Sequence, residues 1–515
     1  MLRRKRFIVQ GQVQGVGFRP FVFSQAEESG LTGFVRNSPR GVVIEVQGDS
    51  RALRAFASAL ESRLPPLARI TCLMHEDCET VHDEKSFIIA ASSGGDSHAV
   101  LVSPDIATCA DCLADIATPG NRRHGYAFTN CTNCGPRYSI THSIPYDRAT
   151  TSMACFPMCP DCLAEYQNPR DRRFHAQPNA CERCGPEVVL LRARPRHAGE
   201  GFDRRFFTFQ PRGNQLVSAN APSATGCWTS GELATGEKAL EELAKELLQG
   251  RVAAIKGLGG FHIACDACDE AAVALLRGRK NRPHKPFAVM AGDISEAKRF
   301  AVLGREEEQL LASHEKPVVI CGMLPGMLAN NISPDTATIG LMLPYTPLHS
   351  LLFAFLKKHA ASTSPLALVM TSGNPGGEPI CLGNREAIAK LSGMADIFLL
   401  HNRDILVRVD DSVQRVAPGG RVLPYRRARG FVPGPVSFAP ASLFFIEKGF
   451  VQGPVGMGEA GSDGPQPIAE ADSVAAVREN SGSSVLPPAL PCVLGVGPEL
   501  KNTLCCTKGD DAFVS

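Results

Sequence analysis

The sequence lacks an excess of either charge: 54 lysines and arginines face 52 acidic residues, a formal net charge of +2. No global field therefore recruits nucleic acid or anionic lipid. No run of about 18 apolar residues offers a membrane span. The apolar stretch after the basic start MLRRKRFIVQGQ breaks at Gln10 and Gly11, too early for a signal-peptide core. A Walker-type lysine loop is missing, which argues against a P-loop mechanism. Aromatic residues are only 6 % of the chain, few platforms for stacked bases. What the chain has is length and sulfur. Its 515 residues suggest three or four domains at about 150 residues each. Its 19 cysteines, without an export signal, indicate metal thiolates in a reducing compartment, the cytoplasm.

In the first ninety residues RFIVQGQV alternates like a strand, a glycine turn follows, and Pro20 suits the first helical position before FVFSQAEESG. Two strand candidates, a helix over SRALRAFASALESRL and two further strand candidates complete a βαββαβ order, a ferredoxin-like split sandwich. Gly15 and Gly17 tolerate positive φ, so the N–H groups of Gly15, Val16, Gly17 and Phe18 can converge on an anion at a helix start. Arg19 adds a planar fork for phosphate or carboxylate oxygens, and the Asn37 amide is suited to orienting a water. A tight turn with a solvated arginine fits the glycines alone as well.

Farther on, CADCLADIATPGNRRHGYAFTNCTNCGP overlies CPDCLAEYQNPRDRRFHAQPNACERCGP with a displacement of fifty residues. Cys109, Cys112, Cys131 and Cys134 recur as Cys159, Cys162, Cys181 and Cys184, and the Arg pairs 122–123 and 172–173 recur with them. Two Cys-x-x-Cys knuckles per copy, 18 residues apart, match a closed tetrahedral zinc site. Metal binding supplies about 10 to 16 kcal/mol of folding energy where little apolar material can be buried. Adjacent copies can either keep their own knuckles or exchange them. Cys155, Cys265 and Cys268 read as ordinary thiols, and His175 as either a neighbour of a ligand or a structural histidine.

Residues 191–236 show no sustained period and read as a linker or mobile insert. Order returns over 237–432 with a helix at EKALEELAKELLQG and a strand at RVAAIKGLGGFHIA. Lys280, Arg282 and Lys285 crowd before an apolar strand, and PLALVMTSGNPGGEPI opens into a turn bearing Ser372 and Asn374. Such cations can neutralise a triphosphate while the neutral groups orient it, although a solvated or RNA-binding basic face has the same pattern. Residues 433–490 are a low-complexity stretch rich in Gly, Pro, Ser and Ala.

GQVQGVGFRPF, with Asn37 eighteen positions after Arg19, resembles the acylphosphatase signature over residues 1–92. The resemblance implies that Arg19 cradles an acyl phosphate and Asn37 places the attacking water. IKGLGGFH, LRGRKNRPHKPFAVM, TSGN and DDSV resemble the YrdC/TsaC-like domain, which makes carbamoyl- or threonylcarbamoyl-type adenylates from ATP. That implies nucleotide binding by Lys256, Lys280, Arg282, Ser372 and Asn374. With the duplicated zinc segment at 100–190 between them, and the strings FTNCTNCGPRYSI, PYDRATTSM and RRFHAQPNAC, the whole resembles the HypF family of NiFe-hydrogenase maturation.

The fold class so implied is α+β multidomain: a ferredoxin-like acylphosphatase domain, two four-cysteine zinc ribbons and an α/β YrdC-like domain. The activity implied is a carbamoyltransferase that hydrolyses carbamoyl phosphate and adenylates the carbamate with ATP and Mg2+. It then passes the carbamoyl group to the C-terminal cysteine of a HypE-type acceptor protein. Residues 491–515 resemble the opening of the family's TsaD-like transferase domain, with Lys501 and Asn502 in its first turn. Because the chain stops there, the reading expects a fragment, a shortened product or a degenerate copy that retains hydrolysis and adenylation. A zinc-stabilised RNA-binding protein and a threonylcarbamoyladenylate synthase are the alternative readings.

Overall fold

The computed structural model describes residues 2–38, 41–65, 67–92, 102–192 and 232–434, with short strands at 210–211, 226–227, 436–437, 444–445, 494–496, 504–508 and 511–514. The first region runs β1 (Leu2–Gln12), α1 (Phe18–Glu28), β2 (Thr32–Ser38), β3 (Gly41–Asp49), α2 (Ser50–Ser62), β4 (Arg69–Cys78) and β5 (Phe87–Ile89). β1 lies between β3 and β4, antiparallel to both, and β3 pairs β2, as the βαββαβ reading expects. The period-2 pattern of β1 buries Phe7 and Val9, which join Val22, Phe23, Ile44 and Phe56 in a single core. α1 begins two residues before Pro20, because Gly17 at φ 75 serves as its N-cap. Pro20 is still accommodated, since N–H groups of the first turn lack intrahelical acceptors.

Two short helices, α3 (Ala110–Ala117) and α4 (Pro160–Gln167), open the two cysteine units, with Cys109 and Cys159 as their N-caps. β6 (Val188–Arg192) leaves the second unit, β7 (Gln210–Pro211) pairs β8 (Gly226–Cys227), and β9 (Glu232–Thr235) pairs β6. Then follow α5 (Gly236–Leu248), β10 (Ala253–Lys256), β11 (Phe261–Asp266), α6 (Glu270–Arg279), β12 (Ala288–Ala291), α7 (Ile294–Phe300), β13 (Ala301–Val302) and α8 (Arg305–Ala312). β14 (Val318–Met323), β15 (Thr338–Met342), α9 (Pro347–His359), β16 (Ala367–Ser372), α10 (Asn384–Leu391), β17 (Ile397–His401), β18 (Val413–Val416) and β19 (Val422–Arg426) complete the third region. They build one large mixed sheet, ordered β19-β18-β14-β15-β12-β16-β11-β10-β17-β6-β9.

The single strand expected over RVAAIKGLGGFHIA is a hairpin, β10 antiparallel to β11, because Gly257 to Gly260 close a turn through a Gly257 N–H bond to the Gly260 carbonyl. The Leu240, Leu243 and Leu247 stripe of α5 packs on one face of the sheet with α9. Tyr126, Phe128 and Phe156 of the cysteine units join that same apolar layer, so the metal region is seated on the sheet. β20 (Val436–Ser437), β22 (Leu494–Val496), β23 (Leu504–Lys508) and β24 (Asp511–Val514) form a small separate sheet, while β21 (Phe444–Phe445) adds to β4. Lys501 and Asn502 lie outside the described residues. Among the described residues no helix is long and apolar enough to cross a membrane.

Candidate functional site

The glycine loop adopts the conformation its residues permit: φ is 74 at Gly15 and 75 at Gly17, left-handed values that a side chain would strain. Val16 and Phe18 bury their side chains in the core, which leaves their N–H groups as their contribution to the turn. A small cavity of about 20 Å³ lies over the loop, walled by Gly15, Gly17, Arg19, Arg137, Tyr146 and His175. Arg19 donates from Nη2 to Asp147 Oδ1 at 2.8 Å and to the Tyr146 carbonyl at 3.5 Å. Asn37, 0 % exposed, donates from Nδ2 to the same carbonyl at 3.4 Å, and its buried Oδ1 has no partner among the described residues. The arginine and the asparagine singled out in the sequence thus converge on one peptide group.

The lid of this cavity comes from residues far from the glycine loop in sequence. Arg137, Tyr146 and Asp147 come from the first cysteine unit and the segment after it, and His175 and Gln177 from the second. Burial and the nearby Arg19 charge lower the His175 pKa to about 4, so it stands neutral beside Tyr166 and Phe174. It belongs to the loop cavity and to neither metal cluster. A signal was present: against the fifty-residue repeat, Arg137 falls opposite Glu187 and His175 opposite Gly125.

Each cysteine quartet comes from one copy: Cys109, Cys112, Cys131 and Cys134 form one cluster, and Cys159, Cys162, Cys181 and Cys184 the other. Knuckles are therefore not exchanged. Sulfur–sulfur separations of 3.7 and 3.8 Å in the first cluster and 3.6, 3.8 and 3.9 Å in the second fit a tetrahedron with metal–sulfur bonds of about 2.3 Å. The eight thiols are thus suited to two structural zinc ions with no open position. Cys155, Cys265 and Cys268 join neither cluster, and burial pushes the Cys155 and Cys268 thiols up to about 12.

What the copies exchange is arginine. Arg122 Nη1 donates to Cys162 Sγ at 3.1 Å, and Arg123 forks onto Glu165. Reciprocally, Arg172 Nη1 donates to Cys112 Sγ at 3.0 Å, and both Arg172 and Arg173 pair with Asp115. Such contacts beyond the ligands orient them and offset the charge of a four-thiolate site.

The large sheet carries the third arrangement, a cavity of about 320 Å³ whose walls include His262, Arg282, Lys285, Thr371, Ser372 and Asp410. Its size suits a nucleotide. Lys280 Nζ donates to the Ser372 carbonyl at 2.7 Å and to the Asn374 carbonyl at 2.9 Å, while Ser372 Oγ donates to Asn374 Oδ1 at 2.7 Å. Arg282 Nη1 donates to Thr371 Oγ1 at 2.9 Å, and burial together with Arg277 lowers its pKa to about 10. Burial alone would raise the Asp411 pKa, but His262 Nε2 and Arg429 Nε, each at 2.9 Å, hold its carboxyl well below the usual range. Neither His262 nor Asp411 was singled out as a functional side chain.

Lys256 stands apart from this cluster. It is 2 % exposed, donates to the His401 carbonyl at 3.0 Å and lines a different cavity of about 30 Å³ with Phe128, Pro136, His401 and Arg403. Burial lowers its pKa to about 7. The motifs IKGLGGFH and LRGRKNRPHKPFAVM thus fall in two places, Lys256 facing the metal region and the Lys280, Arg282, Ser372 and Asn374 group facing the large cavity or its rim.

Family models match in the same order as these regions. The acylphosphatase model covers residues 5–89, the HypF finger model covers 108–141 and 158–191, and the Sua5/YciO/YrdC model, described as telomere recombination, covers 245–428. The chain is 42 % identical to carbamoyltransferase HypF2 of Cupriavidus necator over 528 residues, 99 % of this chain and 54 % of that protein. It is 46 % identical to carbamoyltransferase HypF of Rhodobacter capsulatus over 439 residues, 84 % of this chain and 51 % of that protein. A crystal structure of full-length HypF in a phosphate- and nucleotide-bound form superposes with a TM-score of 0.77 at 37 % identity, over 100 % of this chain and 55 % of that one. The chain spans about half the length of the curated relatives it matches. Over that half it is a homologue of the HypF carbamoyltransferases, with an acylphosphatase domain, duplicated HypF fingers and a Sua5/YrdC-like domain in succession.

Proposed function

We propose that this chain carries the first two steps of a carbamoyl transfer that, in the cytoplasm, supplies hydrogenase maturation. Carbamoyl phosphate binds with its phosphoryl oxygens on the N–H groups of Gly15 to Phe18 and on Arg19. A water oriented by Asn37 bonds to phosphorus as the bond to the carbamoyl oxygen breaks, giving inorganic phosphate and carbamate. In the large cavity a carbamate oxygen then attacks the α-phosphorus of ATP, pyrophosphate leaves, and carbamoyl adenylate forms. Lys280 and Arg282 neutralise phosphates there with Mg2+, while Ser372 and Asn374 orient the nucleotide. A HypE-type acceptor protein is the destination of the carbamoyl group.

The observation that carries this reading is the convergence of Arg19 and Asn37 on the Tyr146 carbonyl beside a glycine loop that both cysteine units cover. Enclosure matters because free carbamate decomposes and an acyl adenylate hydrolyses, so excluding bulk water protects both. With little acid–base work to do, catalysis rests on positioning and on charge neutralisation. The test is phosphate release from carbamoyl phosphate and pyrophosphate release when ATP is added. Arg19→Ala abolishes the first while zinc stays at about two per chain. Unchanged hydrolysis in that variant removes Arg19 from the mechanism.

A further inference from the structure

We infer that Arg137 is a positioning residue for the phosphate loop, carrying the shape of the first metal knuckle into the Gly15–Val16 peptide; this rests on the reading of the loop as an acyl-phosphate site. The side chain of Arg137 is 2 % exposed. Its Nη1 donates to the carbonyls of Cys134 at 3.0 Å and Pro136 at 2.8 Å, and its Nη2 to those of Cys131 at 3.2 Å and Thr132 at 2.8 Å. Its Nε donates to the carbonyl of Gly15. One planar fork therefore spans both cysteines of the Cys131–Cys134 knuckle on one side and the glycine loop on the other. Its own N–H is held by the buried Asp105 carboxylate at 2.7 Å, so the anchor does not swing.

The consequence for the loop follows from peptide geometry. In a trans peptide the carbonyl and the following N–H point in opposite directions, so fixing the Gly15 carbonyl fixes the Val16 N–H. A glycine at φ 74 has little else to hold it. The stem of the arginine also fills the space over Gly15, where an added Cβ would lie 3.2 Å from Arg137 Cδ. None of the five acceptors of the guanidinium itself is a carboxylate; they are main-chain carbonyls, and the group stands in the cavity wall with Arg19. The second copy lacks the device: its matching residue is Glu187, whose N–H goes to Asn402 Oδ1 at 2.8 Å and whose chain continues into β6.

The test compares the 515-residue wild-type chain with its Arg137→Lys and Arg137→Gln variants. Three quantities are read: bound zinc, the steady-state constants for carbamoyl phosphate, and the dissociation constant of inorganic phosphate by calorimetry. A misplaced loop raises KM and the phosphate Kd about tenfold or more, with a smaller change in kcat and with zinc still at about two per chain. Wild-type KM and phosphate Kd in both variants overturn the inference. So does loss of zinc from both, because Arg137 then holds the knuckle and not the loop. If wild type hydrolyses no carbamoyl phosphate, the proposed function fails on its own account, and the phosphate Kd still decides the role of Arg137. A wild type that binds no phosphate overturns both.

Discussion

The two cysteine units are near-copies in sequence and each gathers four thiols into one cluster, yet they serve different neighbours. The first ends in Gly135–Pro136–Arg137 and turns its last knuckle toward the glycine loop. The second ends in Gly185–Pro186–Glu187 and runs on as β6, a strand of the large sheet. Earlier in each copy the roles cross over. His175 and Phe174 of the second unit reach the first region, Phe174 against Phe23 at 5.4 Å between ring centres. Gly125 of the first unit faces Glu237 of α5 instead. The lesson is that duplication supplied two rigid blocks, and a few unmatched residues decided what each block touches.

The harshest way to break this comparison is to take the metal away. A strong chelator should remove about 10 to 16 kcal/mol of folding energy per site, with loss of both acyl-phosphate hydrolysis and cooperative unfolding, followed by calorimetry. Single-site variants sharpen it. Cys134→Ser should depress phosphate binding more than nucleotide binding, and Cys184→Ser should destabilise the sheet that β6 joins; equal effects in both assays would contradict the division of labour.

Next in size is the exchanged pairing. Arg123→Ala removes the fork on Glu165 but leaves that carboxylate its pairing with Arg122, and should cost about 1.5 to 3 kcal/mol in denaturant unfolding, although Glu165 lies in the second unit and Arg123 in the first. A cost well under 1 kcal/mol would mean the pairing adds little.

A smaller effect separates His175 from its counterpart Gly125. Folded His175 titrates at about 4 and an unfolded histidine at about 6.5, so between those values the unfolded chain binds the extra proton. Its contribution is therefore complete above about pH 6.5 and lost as pH falls toward 4. His175→Asn should flatten the pH dependence of stability in that window, measured against wild type so that thiolate protonation cancels. An unchanged slope would show that burial of this ring is irrelevant. The smallest effect is expected at Glu187, where Glu187→Gln should shift stability by no more than about 0.5 kcal/mol, since among the described residues its carboxylate enters no hydrogen bond or ion pair and only its main-chain N–H is engaged, by Asn402.

Much of this was legible in the sequence because it is local. Alternation in β1, the leucine stripe of α5 and the cysteine spacing each fix a short element by rules that need no partner. Gly15, Gly17 and Arg19 were readable for the same reason, being neighbours along the chain. The lid was not readable, since Tyr146 lies 127 residues from Arg19 and nothing local says that they meet. The position of Lys256 away from Lys280 escaped notice because a Gly-rich hairpin hides a change of direction that a continuous apolar run does not reveal. His262 and Asp411 form their pair across 149 positions, and neither is distinctive until strand pairing aligns them.

The swapped guanidiniums say something about ancestry and constraint. A lone unit of this sequence would leave its own forks without carboxylates and its own thiolates without cationic cover, so it would have needed a second molecule facing it. Joining the pair in one polypeptide converts that encounter into permanent adjacency, and neither half is then free to drift without its twin.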